Sequence, residues 1–231
     1  MAAKTHNVAD PLWAVVPLKS PETAKSRLSV GLDASARRRL VFAMARQVVR
    51  TLVQTPEIAD VAVVTASPEV AASVEREGAT VIWQGTDAGT AEACRCAVAH
   101  LSATAGSLLM ISGDIPLICT EAVAAFAGLA QQAPLVAIVP DRRGQGTNAL
   151  LCAPPALVPP CFGPHSFRRH LAAARERGVE VRVIESDVLS LDIDDLDDLR
   201  ELQCRLNVNP GLLPAEVREA VPDKNEEVPA R

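Results

Sequence analysis

Five apolar runs of strand length, separated by helical patterns, constrain this chain more than any other feature. The runs are Trp13–Pro17, Val61–Val64, Thr80–Trp83, Leu108–Ile111 and Leu135–Val139. The first intervening helix opens at Asp33 and repeats Leu40, Met44, Val48 and Leu52 at four-residue spacing. The second begins at Ser67-Pro68, an N-cap followed by proline at the first helical position, and stops at Gly78. An alanine-rich helix runs from about Gly89 to Ser102, and another from Thr120 to about Gln132. Continuous apolar strands alternating with helices predict an α/β fold, a mostly parallel sheet with helices on both faces.

After Pro140 the rhythm changes. A turn-rich loop, Asp141–Gly146, precedes a strand over Thr147–Cys152. Pro154-Pro155 and Pro159-Pro160 follow, then a helix from Ser166 to Gly178. Val179–Glu185 alternates apolar and charged residues as an edge strand does, and Asp194–Leu206 reads as a last amphipathic helix. The expected organisation is a flexible N-terminus over 1–10, one domain over 11–206, and a partly disordered C-terminal extension over 207–231. Within that extension Pro222–Arg231 reads as a loose tail.

Composition removes several function classes. A net charge of −5, from 23 basic and 28 acidic residues, argues against phosphate neutralisation along a nucleic acid. Four Phe, two Trp and no Tyr leave little for base stacking. No apolar stretch approaches the roughly 18 residues of a membrane span. The first ten residues have no apolar run and do not read as a signal peptide. None of the six cysteines sits in a C-x-x-C pair, so they read as reduced thiols of a cytoplasmic protein, mostly core filler, rather than zinc ligands.

Ligands of open α/β sheets gather at the carboxyl ends of strands. Lys19, Lys25 and Arg27 lie in the loop after the first strand, three cations within nine positions. Such a loop can hold a polyphosphate, or it can be a solvated basic loop. The G-x-x-x-x-G-K-[ST] spacing of a P-loop is absent. Asp114 follows the Leu108–Ile111 strand, where a carboxylate is either an Mg²⁺ ligand beside phosphates or a turn residue. Asp192 and Asp194 are two apart and share one face if extended. With Asp114 they would make a three-carboxylate metal site, whereas Asp195, Asp197 and Asp198 suit a helix cap and first turn. Gly144-Gln145-Gly146-Thr147-Asn148-Ala149 matches a dinucleotide fingerprint only formally, because a strand and not a helix follows. Gly163 and Ser166 at a helix start offer free N–H groups and a hydroxyl to a small anion, or only a helix cap. His165 and His170, five apart, would share a helix face poorly and read as accessory. No G-x-S-x-G elbow supports a serine hydrolase.

Taken in order, these segments resemble a known family. They are Val16-Pro17-Leu18-Lys19 with Ala24-Lys25-Ser26-Arg27-Leu28, then Gly113-Asp114-Ile115-Pro116-Leu117, then Gly146-Thr147-Asn148-Ala149-Leu150. Phe162-Gly163, Ser166-Phe167 with His170, and Leu191-Asp192-Ile193-Asp194 complete the set. Over about Ala14 to Leu206 the chain resembles the 2-phospho-L-lactate guanylyltransferase family of coenzyme F-420 biosynthesis. The resemblance implies a single-domain, Rossmann-like mixed sheet of the nucleotide-diphospho-sugar transferase type. It implies GTP as donor, Mg²⁺ as cofactor, and 2-phospho-L-lactate, phosphoenolpyruvate or 3-phospho-D-glycerate as acceptor.

By the same resemblance Asp114, Asp192 and Asp194 hold metal, and Lys19, Lys25 and Arg27 face the triphosphate. Lys25 and Asp114 carry the chemistry, and Thr147, Gly163 and Ser166 hold the acceptor. The chain departs from the family at Gly89-Thr90-Ala91, where Gly-Leu-Asn is frequent, and at Asp195, where Thr is frequent. Small side chains at Ala91, Cys94 and Cys96 suggest a roomier cleft and tilt the acceptor towards 3-phospho-D-glycerate. The alternatives are a sugar-phosphate or molybdenum-cofactor nucleotidyltransferase on the same fold, and an inactive GTP-binding module, against which the acidic trio argues. The sequence leaves the oligomeric state open.

Overall fold

A computed structural model describes residues 11–222. The segments expected to be flexible, 1–10 and the tail beyond residue 222, lie outside the described residues. Seven strands form one sheet: β1 (Leu12–Pro17), β2 (Asp60–Thr65), β3 (Thr80–Trp83), β4 (Ser107–Ile111), β5 (Leu135–Pro140), β6 (Thr147–Ala153) and β7 (Val181–Val183). Their spatial order is β3-β2-β1-β4-β6-β5-β7. Pairing is parallel for β1 with β2 and β4, β2 with β3, and β5 with β7; β6 runs antiparallel to both β4 and β5. The reversal of β6 brings its first residues, not its last, to the edge where β4 and β5 end.

The helices are α1 (Ala34–Gln54), α2 (Pro68–Glu75), α3 (Thr90–Leu101), α4 (Thr120–Ala127), α5 (Ser166–Glu176), α6 (Leu196–Val208) and α7 (Ala215–Ala220). The starts read from sequence have a physical cause. Asp33 accepts from the Ala36 amide at 2.7 Å, and Ser67 accepts from Val70 with Pro68 behind it. Asp195 and Asp198 close a reciprocal capping box at α6. The helix expected over Thr120–Gln132 finishes in a 3-10 turn from Gly128.

Alternation along the strands sorts the core into two layers. One packs Ala14, Val16, Val61, Val63, Leu109 and Ile111 against α1, α2 and α4. The other packs Val15, Ala62, Val64, Leu108 and Met110 against α3 and α5. A third cluster joins the outer side of α1 (Leu40, Met44) to Leu28, to Leu199 and Leu202 of α6, and to Val217 of α7. Residues 210–220, within the C-terminal extension, therefore carry a 3-10 turn and a helix seated on α1.

One irregularity bears on the site. Val139 pairs with Ala149, but the next residue, Pro140, pairs with Thr147, so Asn148 is an extra residue in β6. This β-bulge interrupts the two-residue alternation at the mouth of the strand.

Candidate active site

Three chain segments meet at the carboxyl ends of β1 and β4. The first is the loop after β1. Lys25 adopts a left-handed conformation with φ 56°, costly for a residue with a Cβ, and leads into a 3-10 turn over Ser26–Val30. The second is the turn after β4. A Cβ on Gly113 would stand 2.2 Å from Leu18 Cδ2 and 3.3 Å from Val16 Cγ1, so a side chain there would displace Leu18 and crowd β1. The third is the extended segment after β7, where the Ile193 amide donates to the Asp114 carbonyl at 3.2 Å. That bond sets Asp192 and Asp194, on either side of Ile193, beside Asp114.

The result is a compact charged cluster. Carboxylate oxygens of Asp114, Asp192 and Asp194 lie within 4.8 Å of one another. The Lys25 ammonium contacts Asp114 and lies 2.6 Å from Asp194 Oδ1. Burial would lower the Lys25 pKa, but Asp114 and Asp194 outweigh it and hold the ammonium firmly protonated. Burial tends to raise Asp194, and Lys25 reverses the sign, keeping it below the usual carboxylate range. Asp192 has no such partner. Burial, then the charges of Asp114 and Asp194, push it up to about 7, with the Asn148 amide opposing.

Two observations show that the trio fits a divalent cation. Asp114 Oδ1 is buried without a hydrogen-bond partner among the described residues. One ammonium also faces three carboxylates, and an all-oxygen donor set suits a hard ion such as Mg²⁺. The adjoining cavity holds about 330 Å³ and is lined by Lys19, Lys25, Arg27, Thr90, Asp114 and Asp194, among others. Three cations, Lys19, Lys25 and Arg27, and two carboxylates of the trio, Asp114 and Asp194, therefore share one cavity.

The other expected group, Thr147, Gly163 and Ser166, does not line that cavity but assembles next to it. The Ser166 amide donates to the Gly163 carbonyl at 3.0 Å, and the Phe167 amide to the Gln145 carbonyl at 3.2 Å, fastening the start of α5 to the loop before Thr147. The N-cap of α5 is His165, with φ 54° and no side-chain cap bond, so Ser166 stands at the first helical position and is buried. Thr147 and Asn148 link the two groups. Thr147 Oγ1 lies 3.0 Å from His170 Nδ1 of α5, and Asn148 Nδ2 donates to Asp192 Oδ1 at 3.2 Å and to the Leu189 carbonyl at 3.0 Å.

Some expectations need correction. The cysteines of α3 do not widen the cavity: Cys94 is fully buried in the core layer with Ala93 and Ala97, and Ala91 and Cys96 pack against that layer. Cys96 Sγ turns towards His100 Nδ1, 3.9 Å away. The size argument for 3-phospho-D-glycerate thus loses its premise. His170 is also more than accessory, since it ties Thr147 to the Cys161 amide. Its signal in the sequence is the four-residue spacing of Ser166, His170 and Ala174, the buried stripe of α5. Arg142 and Arg143, unremarked in the sequence, pair with Asp198 and Asp195 and fix the loop before β6 to the start of α6.

Comparison with known proteins gives a consistent result. Residues 12–207 match the family model described as "Guanylyl transferase CofC like". The phosphoenolpyruvate guanylyltransferase of Rubrobacter xylanophilus is 40% identical over 195 residues, covering 83% of this chain and 93% of the relative. That of Conexibacter woesei is 40% identical over 197 residues, covering 82% and 87%. Among solved structures, one from Desulfovibrio desulfuricans described as a nucleotide-diphospho-sugar transferase superposes with TM-score 0.73 at 14% identity, covering 90% of this chain and 93% of that one. A 4-diphosphocytidyl-2C-methyl-D-erythritol synthase from Anaerococcus prevotii superposes with TM-score 0.55 at 12% identity, covering 86% and 99%. The single-domain mixed sheet is thus of the nucleotide-diphospho-sugar transferase type.

Proposed function

The chain belongs to the CofC-like guanylyl transferase family, and from that premise we propose that it transfers GMP from GTP to the phosphate of a small phosphorylated acid, releasing pyrophosphate. The observation that carries this reading is Lys25 between Asp114 and Asp194 in a cavity that also holds Lys19 and Arg27. A triphosphate needs such cations, and the carboxylates beside them are the ligands a phosphate-bound metal takes.

An acceptor phosphate oxygen attacks the α-phosphorus of GTP. The new P–O bond forms as the bond to the β-phosphate oxygen breaks, and pyrophosphate leaves. The attacking oxygen is already anionic at neutral pH and needs no general base. The barrier lies in bringing two anions into line, and side chains that neutralise and orient them lower it. Lys19 and Arg27 face the triphosphate, and Lys25 with Asp114 orders the reacting end. Mg²⁺ held by Asp114, Asp192 and Asp194 would neutralise charge on the phosphates. Thr147, Gly163 and Ser166 hold the acceptor.

Phosphoenolpyruvate is the proposed acceptor, supported by the names of relatives at 40% identity. Its product would enter coenzyme F-420 biosynthesis in the cytoplasm. Pyrophosphate release from GTP and Mg²⁺, followed with phosphoenolpyruvate, 3-phospho-D-glycerate, 2-phospho-L-lactate and a sugar phosphate in turn, tests the reading. Phosphoenolpyruvate should give the highest kcat/KM. Faster turnover of 3-phospho-D-glycerate would replace the acceptor, and release only with the sugar phosphate would overturn the reaction class.

A further inference from the structure

We infer that His170 is a positioning residue that orients the Thr147 hydroxyl as a hydrogen-bond donor towards the acceptor. The inference rests on the reading of Thr147 as an acceptor contact. His170 lies one turn into α5, fully buried, with its ring edge-on to Phe162 at 5.1 Å between centroids. Both ring nitrogens are engaged. The Cys161 backbone amide reaches Nε2 at 2.8 Å, and Thr147 Oγ1 lies 3.0 Å from Nδ1.

A backbone N–H can only donate, so Nε2 accepts and carries no proton. A neutral imidazole then has its hydrogen on Nδ1, and a doubly protonated ring is incompatible with the Cys161 bond. The low pKa of His170, about 4, owed chiefly to burial and then to Arg169, agrees with a neutral ring. Nδ1–H therefore faces Thr147 Oγ1, which cannot donate to it, with the Ser166 carbonyl one turn back also within reach of that proton. The hydroxyl proton of Thr147 then points elsewhere. Among the described residues His170 is the only hydrogen-bond partner of Oγ1. A hydroxyl with a free rotor would have to be oriented when an anion arrives; this one is oriented beforehand.

The two ends of the imidazole can be separated by substitution. Asparagine places its amide near the Nδ1 position and keeps the donor to Thr147, while glutamine reaches the Nε2 position and keeps an acceptor for Cys161. His170→Gln should raise the acceptor KM about fivefold, the cost of orienting a hydroxyl left free to rotate and less than the full loss in Thr147→Val, with the GTP KM unchanged. His170→Asn should keep the acceptor KM within about twofold of wild type, even where its melting temperature falls through the unpaired Cys161 amide.

Thr147→Val separates failure of this inference from failure of the reading beneath it. If Thr147→Val leaves the acceptor KM unchanged, Thr147 is not an acceptor contact and both ideas fall. If Thr147→Val raises it and His170→Gln does not, only the role of His170 is lost. Equal loss of melting temperature in both His170 variants with wild-type KM values would make the histidine purely structural. On the inference, Thr147→Val/His170→Gln should have the acceptor KM of Thr147→Val alone.

Discussion

The ammonium of Lys25 lies 2.6 Å from the carboxylate of Asp194, a residue 169 positions further along the chain. The same nitrogen contacts Asp114, so one side chain from the first loop joins the turn after β4 to the segment before α6. Lys25 is thus both an expected triphosphate contact and the internal counter-ion of the acidic trio. Removing it leaves three clustered carboxylates with no cation between them. Lys25→Ala should melt several degrees below wild type in EDTA, and added Mg²⁺ should raise its melting temperature more than that of wild type. Calorimetry with and without metal checks this; equal Mg²⁺ shifts in the two proteins would detach Lys25 from the metal ligands. Its GTP KM should rise as well, and that of the acceptor much less.

Asp114 contributes one buried oxygen that no hydrogen bond satisfies. Asp114→Asn keeps the size of the side chain and removes its charge. Turnover at saturating Mg²⁺ should drop by about 10²-fold or more, close to 3 kcal/mol of transition-state stabilisation. Circular dichroism should remain that of wild type. Full activity would remove Asp114 from the metal site.

Ser166 stands inside the first turn of α5, one residue past the cap position, so its hydroxyl is not the helix cap. Ser166→Ala should raise the acceptor KM about tenfold, a loss near 1.5 kcal/mol, and leave the GTP KM alone. Steady-state kinetics with each substrate varied in turn make the measurement. A change confined to GTP would place Ser166 on the other substrate.

Acid should weaken the fold through His170. Its pKa falls from the usual 6.5 to about 4 on folding, because burial, helped by Arg169, disfavours the charged ring. The unfolded chain therefore binds the proton more readily than the folded one. The stabilisation is complete above pH 6.5 and is lost as the pH falls through 4, up to about 3 kcal/mol in all. Denaturant titrations between pH 7 and 4.5 should show a shallower loss for His170→Gln than for wild type. Parallel curves would mean that His170 is not the group responsible.

The strands and helix starts were legible because each rests on local chemistry: continuous apolar runs, an Asp or Ser cap, a proline at the first helical position. Asp114 is legible in position because it follows the end of β4, and Asp192 and Asp194 because residues two apart share one face of an extended segment. Their partner Asn148 is not, because its contact with Asp192 spans 44 positions and nothing nearby announces it. The placement of the α3 cysteines is not legible for a related reason: a helix start at the cleft does not reveal which face turns inward, and Cys94 turns to the core. The spacing of His170 from His165 carries no signal of its role, because its partners are a strand hydroxyl and a loop amide.

The extra residue at the mouth of β6 has a further consequence. Strict alternation continued back from Ala149, whose layer contains α1, would send Thr147 to that layer and Asn148 to the opposite one. The bulge inverts the phase: Thr147 meets His170 on α5, and Asn148 meets Leu189 and Asp192 on the other side. Two adjacent residues of a single strand thereby reach opposite faces of the sheet, Asn148 beside Asp192 and Thr147 beside His170. Deleting one residue between Gly146 and Ala149 would restore a regular ladder and lengthen good pairing with β5. It would also break the Asn148–Asp192 and Thr147–His170 contacts at once, leaving a sheet more ideal than the natural one and the two groups no longer tied to it.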